Sequence, residues 1–253
     1  APRDCMKVGA TMEAAGVMHD LGVASGFPAA QTWDATLNGV ALTTLSGQIP
    51  FTNPVSGNTY LSRCTACAST AGTLYLIDKL WHNGGYTITT TTAESTTHLG
   101  IPARDRAGTT NGDGVMLALE VETATTNASP ITNTTATYTN QAGTGSKTAT
   151  IASFPATAVA GTFVPFGLAA GDTGVRSVQS LTKGTSYAAG TIHLVQYRLL
   201  AAIPCTAANV SNEINAITGG FPRLFDNTVL CATWRPSATT ATTWAFQVGV
   251  TQG

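Results

Sequence analysis

From Thr73 onward, hydrophobic and polar positions fall into short β-rich runs separated by turn signals. LYLIDKLW leads into a turn at Asn83-Gly84-Gly85, and YTITTTTAESTT follows it. VMLALEVETATT alternates cleanly, placing Val115, Leu117, Leu119 and Val121 on one face. TNTTATYTN, KTATIASF, GTFVPFGLA, VRSVQSLTK and TIHLVQYRLLAAI continue the series, with glycines at 171–174 and 184–190 as punctuation. NTVLCATW and TTWAFQVGVT are the last two predicted strands. One segment breaks the rhythm. In TAANVSNEINAIT (206–218), Val210, Ile214 and Ile217 have helical spacing, and Gly219-Gly220 follows as a C-cap would, which predicts one short helix.

Residues 1–30 show neither rhythm. Gly9, Gly16, Gly22 and Gly26 would each weaken a helix by about 1 kcal/mol relative to Ala. The expectation here is an N-terminal arm with a short helix around Met12–His19. A strand is predicted near Ala35–Thr44, then a Pro/Gly-marked loop (QIPFTNPVSGNTY) and the Cys64–Cys67 segment. About eight to ten strands with a single helix predict an all-β fold, an antiparallel β-sandwich or jelly roll. It would occupy 31–253, with 31–72 as a candidate peripheral extension. The lack of strand–helix alternation excludes a parallel α/β fold, and no fixed repeat suggests a propeller or solenoid.

Composition changes this picture in one respect. Charged residues are 10% of the 253 residues, against roughly 25% in an average soluble protein. Thr, Ala, Ser and Gly take their place. Thr is β-branched and suits a pleated, half-exposed surface. A surface so poor in charge fits a sheet protein covered by neighbouring subunits better than a free monomer. The net charge of −1 argues against a nucleic-acid partner, which requires a basic footprint. No run of eighteen apolar residues predicts a membrane span. The opening APRDCMKVGA lacks the apolar run of a secretory leader, and its first Ala fits loss of an initiator Met, so cytoplasmic synthesis is expected.

Candidate chemistry concentrates in IPARDRAGTTNGDG, residues 101–114, which gathers Arg104, Asp105, Arg106 and Asp113. Asp105, Asn111 and Asp113 are hard-oxygen ligands, but their spacing and the missing closing Glu do not match a calcium loop. Asn111-Gly112 and Asp113-Gly114 are turn dipeptides. The stretch therefore reads as a structured loop in which the four charged residues pair with each other or across a subunit junction. The five cysteines are an odd number, so either one thiol stays free or some link subunits. Cys64-Thr65-Ala66-Cys67 is a CxxC without a βαβ context. Structural thiols, or a disulfide between Cys64 and Cys67, are the expectation, ahead of a metal site or a redox pair. His19, His82, His98 and His193 form no HExxH or near pair, and no GxSxG elbow occurs. Asp78, Glu120 and Glu122 lie in strand-like runs, where a glycosidase pair would need two to converge. No catalytic, cofactor-binding or metal-binding residue is assigned.

Seven motifs occur in order between Leu74 and Gly253: LIDKLWHNGG, PARDRAGTTNGDGVMLALEV, TYTNQAGT, GTFVPFGLAAGDTGVRSVQSL, GTIHLVQYRLLA, PRLFDN and a terminal TQG. Together they resemble a group of tailed-bacteriophage virion structural proteins encoded among head and neck genes. The resemblance covers the last two-thirds of the chain and leaves out the CxxC. It implies a non-enzymatic virion component, made in the host bacterial cytoplasm, with the major capsid protein or other virion proteins as partners. A decoration (cement) protein, as a homotrimer on the capsid exterior, is the leading expectation. A neck, collar or tail protein is the alternative. A glycan-binding jelly roll, with Trp33, Trp81, Trp234 and Trp244 stacking on sugars, is a further one.

Overall fold

The computed structural model describes residues 2–12, 14–32 and 39–253. The fold is all-β and antiparallel, of the expected sandwich class, with one short α-helix. In chain order the strands are β1 (Arg3–Ala10), β2 (Met18–Asp20), β3 (Ser25–Phe27), β4 (Val40–Ala41), β5 (Thr59–Ala68) and β6 (Gly72–Asn83). They continue with β7 (Glu94–Ser95), β8 (Val115–Thr123), β9 (Ile131–Asn140), β10 (Lys147–Phe154), β11 (Thr162–Pro165) and β12 (Val175–Thr182). The last are β13 (Thr191–Cys205), β14 (Asn212–Asn215), β15 (Arg223–Leu224), β16 (Leu230–Pro236) and β17 (Thr242–Gln252), with helix α1 (Ala216–Gly219) after β14. The chain forms two compact units, each with its own core. This differs from the single domain drawn from the sequence. Residues 43–72, expected at the periphery, supply core positions Ile49, Leu61, Cys64, Ala66 and Ala68.

The first unit comprises Ala1–Thr32, Thr43–Asp78 and Leu199–Gly253. One of its sheets has the order β14-β5-β17-β1-β3, with β15 also on β5. β5 and β17 pair from Trp244↔Ala68 to Gln252↔Thr59, with a register shift between Gly249 and Val250. There Ser62 is the extra residue, so the buried positions of β5 step from Leu61 to Cys64, Ala66 and Ala68. β16 pairs with β6 on one side and β2 on the other. Trp234 and Trp244 meet edge to face in this core, with ring centroids 6.0 Å apart.

The N-terminal residues are sheet in this structure. Cys5 stands opposite Phe246, and Met6 opposite Phe27. β1 escaped the sequence reading because a lysine holds an inward position. Lys7 is 3% exposed, and its Nζ donates to the carbonyls of Ala24, Pro28 and Ala29 at 3.2, 2.7 and 3.3 Å. Its charge thus closes a backbone turn rather than facing water. The helix expected around Met12–His19 is absent from the described residues there. Met18–Asp20 is strand, and Asp20 then caps a 3-10 turn by accepting from Gly22 N at 2.8 Å. Of the strand expected near Ala35–Thr44, residues 35–38 lie outside the described residues, and Val40–Ala41 is β4.

His19 in this unit is 1% exposed, and neither ring nitrogen has a hydrogen-bond partner among the described residues. Burial pushes its pKa down to about 4, against a smaller opposing pull from Asp20. The unfolded chain would take up this proton near pH 6.5, before the folded chain does. His19 should therefore remove about 3 kcal/mol of stability as pH falls from 6.5 to 4, and nothing more below that. Urea midpoints measured between pH 7 and 4 should decline, and His19→Leu should flatten the decline.

The second unit comprises Trp33–Leu42 and Lys79–Arg198. One sheet has the order β10-β9-β12-β7. β8 lies between β13 and β11, and β4 pairs with β6. Val115, Leu117, Leu119 and Val121 share one core, as their alternation predicts. Ala118 and Glu120, on the other face of β8, are also fully buried. YTITTTTAESTT, expected as a strand, is mostly irregular and keeps only β7. Thr at most of its alternate positions gives it little apolar face to bury.

The helix expected over 206–218 is also redrawn, within the first unit. Only Ala216–Gly219 is helical, capped by the Asn215 side chain and the reciprocal Thr218 hydroxyl, and ended by Gly220 at φ 56°. Asn212–Asn215 pairs with β5 instead, where Ile214 stands opposite Cys64. Val210 and Ile217, the other members of the apparent stripe, are 49% and 94% exposed.

Candidate functional site

The charge-rich loop at 101–114 lies in the second unit, between β7 and β8. Asp105 is its centre and is fully buried. One carboxylate oxygen accepts from the backbone N–H of Ala107 (3.0 Å) and Thr109 (2.7 Å). The other accepts from the Thr109 hydroxyl (2.7 Å) and the N–H groups of Gly112 (3.0 Å) and Asp113 (3.3 Å). Burial raises the Asp105 pKa, but these hydrogen bonds outweigh it and leave the group below the usual carboxylate range. Gly112 is required by conformation and by space. Its φ is 82°, and a Cβ would sit 2.3 Å from the Val175 carbonyl oxygen. With both Asp105 oxygens holding N–H and O–H donors, the loop offers no calcium site around it.

The four charged residues have three separate tasks. Arg104, 2% exposed, donates to the carbonyls of Leu42 at 2.9 Å and Lys79 at 3.1 Å, which ties the loop to the backbone of β6 and its neighbour. Asp105 closes the loop on itself. Arg106 and Asp113 form a two-pronged pair at 3.0 and 2.9 Å, and the Thr173 hydroxyl donates to Asp113 at 3.1 Å. Of the four, Arg106 and Asp113 are the two that pair with each other. The Arg106 side chain is 65% exposed, so solvent screens that pair. Arg106→Ala should lower stability by less than about 1 kcal/mol in a denaturation measurement.

A buried polar belt in the same unit was not assigned a role from the sequence. Lys79 on β6 and Glu120 on β8 pair at 2.9 Å with side-chain exposures of 1% and 0%. His193, opposite Glu120 on β13, meets Glu122 at 2.8 Å, and its ring lies 4.5 Å from that of His82. Burial lowers the His193 pKa, while Glu122 pulls it back up. Gln196 contacts His98 at 2.6 Å and donates to the Val175 carbonyl at 2.8 Å. The visible signal was Asp78-Lys79 inside the apolar run LYLIDKLW, since a strand buried on both faces must hide its charges. The three strand carboxylates are each engaged: Asp78 by the Val229 N–H at 2.9 Å, Glu120 by Lys79, and Glu122 by His193. Among the described residues, no three His, Cys, Asp or Glu side chains are grouped to hold a metal ion.

Of the two readings expected for Cys64 and Cys67, the structure has the thiols and not the disulfide. All five are free thiols. Cys64 and Cys67 sit three residues apart on extended β5, which points them to opposite faces and separates their Cα atoms by about 10 Å. A disulfide spans about 4.4–6.8 Å, so this strand cannot hold one between them. Burial pushes the Cys5 and Cys64 thiols up to about 12 and Cys205 up to about 11. Cys231 is also buried, while Cys67 is half-buried. A thiol reagent should modify Cys67 first in the folded protein, and the other four only on unfolding, as peptide mass mapping would show.

The aromatic platform for sugar is not present at the described tryptophans. Trp81, Trp234 and Trp244 are at most 1% exposed, and Trp33 lies outside the described residues.

No family model matches the chain, and no curated protein matches it. Solved structures of infectious bursal disease virus overlap it over nearly its full length, at low similarity. The Gt strain structure is 13% identical with a TM-score of 0.17, covering 99% of this chain and 80% of that one. The Gx strain structure is 11% identical with a TM-score of 0.20, covering 99% and 79%. T=1 particles derived from the same virus give 12% identity and a TM-score of 0.17, covering 100% and 77%. Similarity at this level does not establish a shared fold.

Proposed function

We propose that this chain is a non-enzymatic structural component of a tailed-bacteriophage virion. In this reading it is a decoration protein that clamps neighbouring capsid subunits on the outer surface. The observation that carries the reading is where the few charges go. The chain has 12 Lys+Arg and 13 Asp+Glu. Lys7, Asp20, Asp78, Lys79, Arg104, Asp105, Glu120, Lys183 and Arg198 are each at most 3% exposed. More than a third of a small charge complement is therefore spent inside, and the exterior is poorer in charge than the composition alone implies. A free protein would keep those charges outside for solubility. A Thr- and Ala-rich exterior suits burial against neighbours, where an uncharged surface costs less to desolvate than a charged one. The ordered motifs from Leu74 to Gly253 support the phage assignment.

The mechanism is binding energy alone. Each clamp would bury about 1,200–2,000 Å² across a junction and resist the outward pressure of packaged DNA. The partners are the major capsid protein and further copies of this chain, with a homotrimer suited to local three-fold positions. Quantitative mass spectrometry of purified particles tests this. Hundreds of copies per particle are expected, and tens or fewer would move the protein to the neck, collar or tail.

A further inference from the structure

The outward face of the β5-β17-β1-β3 sheet has a tall half and a low half. Register places Phe27 opposite Met6, Met6 opposite Ala245 and Ala245 opposite Cys67, so these four form one uncharged row across four strands. On the β1 and β3 side, Phe27 and Met6 are 58% and 54% exposed, and Val8, the next outward residue of β1, is 47% exposed. On the β17 and β5 side, the row holds only Ala245 and the half-buried Cys67. All of these belong to the first unit.

The charges lie beside this row and are split in the same way. Asp4 on β1 and Arg63 on β5 flank Gln247 of β17. The Gln247 Nε2 donates to Asp4 at 2.7 Å, and its Oε1 accepts from Arg63 at 2.7 Å. Arg63 also reaches Glu213 at 3.8 Å, a long and solvent-exposed contact that leaves its guanidinium able to take a second carboxylate. One side of β17 thus presents large apolar side chains and an acid, and the other presents small side chains and a base.

We propose that this face binds the same face of a second copy of the chain, about a two-fold axis running along β17. Such an axis exchanges the two sides of β17. It lays Met6 of one copy over Cys67 of the other, tall side chain on low, with Ala245 at the axis where the sheets approach most closely. It also sets Asp4 of each copy against Arg63 of the other. A surface that pairs with itself needs two halves that complement each other, and these do so in shape and in charge. Four strands at about 4.8 Å, with three outward positions at about 6.6 Å, give a face of about 400 Å². A pair buries about 800 Å², short of the roughly 1,200 Å² of a stable specific complex, so dilute chains stay apart and concentrated ones pair. The inference does not rest on the virion reading. In a trimeric arrangement, the contact would join one trimer to the next.

Sedimentation equilibrium of the full chain in low salt, from about 10 µM to about 1 mM, tests this. Wild type should gain mass across that range, toward that of a dimer. Met6→Asp should keep the melting temperature, since the side chain faces water, and weaken pairing at least about tenfold. Asp4→Arg and Arg63→Asp should each weaken it by a similar factor, because like charges then face each other at both ends of the contact. An equimolar mixture of those two variants should pair again, since each supplies the charge that the other lacks. A wild-type chain still monomeric at about 1 mM would overturn the proposal and leave this face to a different protein. Met6→Asp pairing as strongly as wild type, or a mixture pairing no better than its components, would also overturn it.

Discussion

Asp105→Ala should cost about 3–5 kcal/mol of unfolding free energy, a far larger effect than removing its neighbour Arg106. Asp105 is fully buried and accepts hydrogen bonds from four backbone N–H groups and one hydroxyl. Alanine would leave those donors in a closed loop with nothing to accept them. Asn would keep one oxygen and put an NH2 where the other oxygen accepts three donors, so Asp105→Asn should recover only part of the loss. The pH dependence follows from the same hydrogen bonds. The folded pKa lies below the unfolded one. The Asp105 contribution is thus complete above about pH 4, the unfolded carboxylate value, and is lost as pH falls through the folded value. Urea unfolding of wild type and both variants at pH 7 and pH 3 should show a gap that narrows in acid. A gap of under about 1 kcal/mol at pH 7 would mean that Asp105 does not hold the loop.

The second large effect belongs to Lys79 and Glu120. Both are almost fully buried and pair at 2.9 Å. Lys79→Met would leave the Glu120 carboxylate without its cation in a site closed to water, at a cost of about 3–5 kcal/mol. Changing both to apolar residues removes that penalty, so Lys79→Met/Glu120→Leu should be within about 1 kcal/mol of wild type, or above it. A double-mutant cycle by urea denaturation reads this directly. Two single losses that simply add in the double variant would contradict the view that one charge answers the other.

These two cases also show how far the sequence could be read. The all-β class was legible because β8 alternates and β-rich runs recur between turn residues along the chain. The face holding Val115, Leu117, Leu119 and Val121 was predicted and is core. The loop at 101–114 was picked out by its charge density, and its turn dipeptides were read correctly as structure. Its internal assignment was not legible. Nothing in RDR says that Arg104 reaches carbonyls of residues far along the chain while Asp105 collects amides of its own loop. The N-terminal strand was missed because Lys7 faces inward and breaks the apolar alternation that reveals a strand. The Ser62 bulge hid the phase of β5, and the CxxC then looked like a bridge rather than two residues on opposite faces of one strand. For Arg104, Lys7 and β5 the missing information was a backbone partner distant in sequence, which periodicity along the chain does not encode.

Two of the polar groupings brought inside are closed sets: Asp105 with its loop and Lys79 with Glu120. Such sets hold a shape. They support the proposal that this chain acts by binding its neighbours, through surfaces kept low in charge. Electron cryo-microscopy of the intact particle tests that proposal most directly. The expected image has density for this fold repeated over the outer capsid surface, bridging adjacent capsid subunits. Density confined to the neck or tail, inside the shell, or absent from the particle would contradict it.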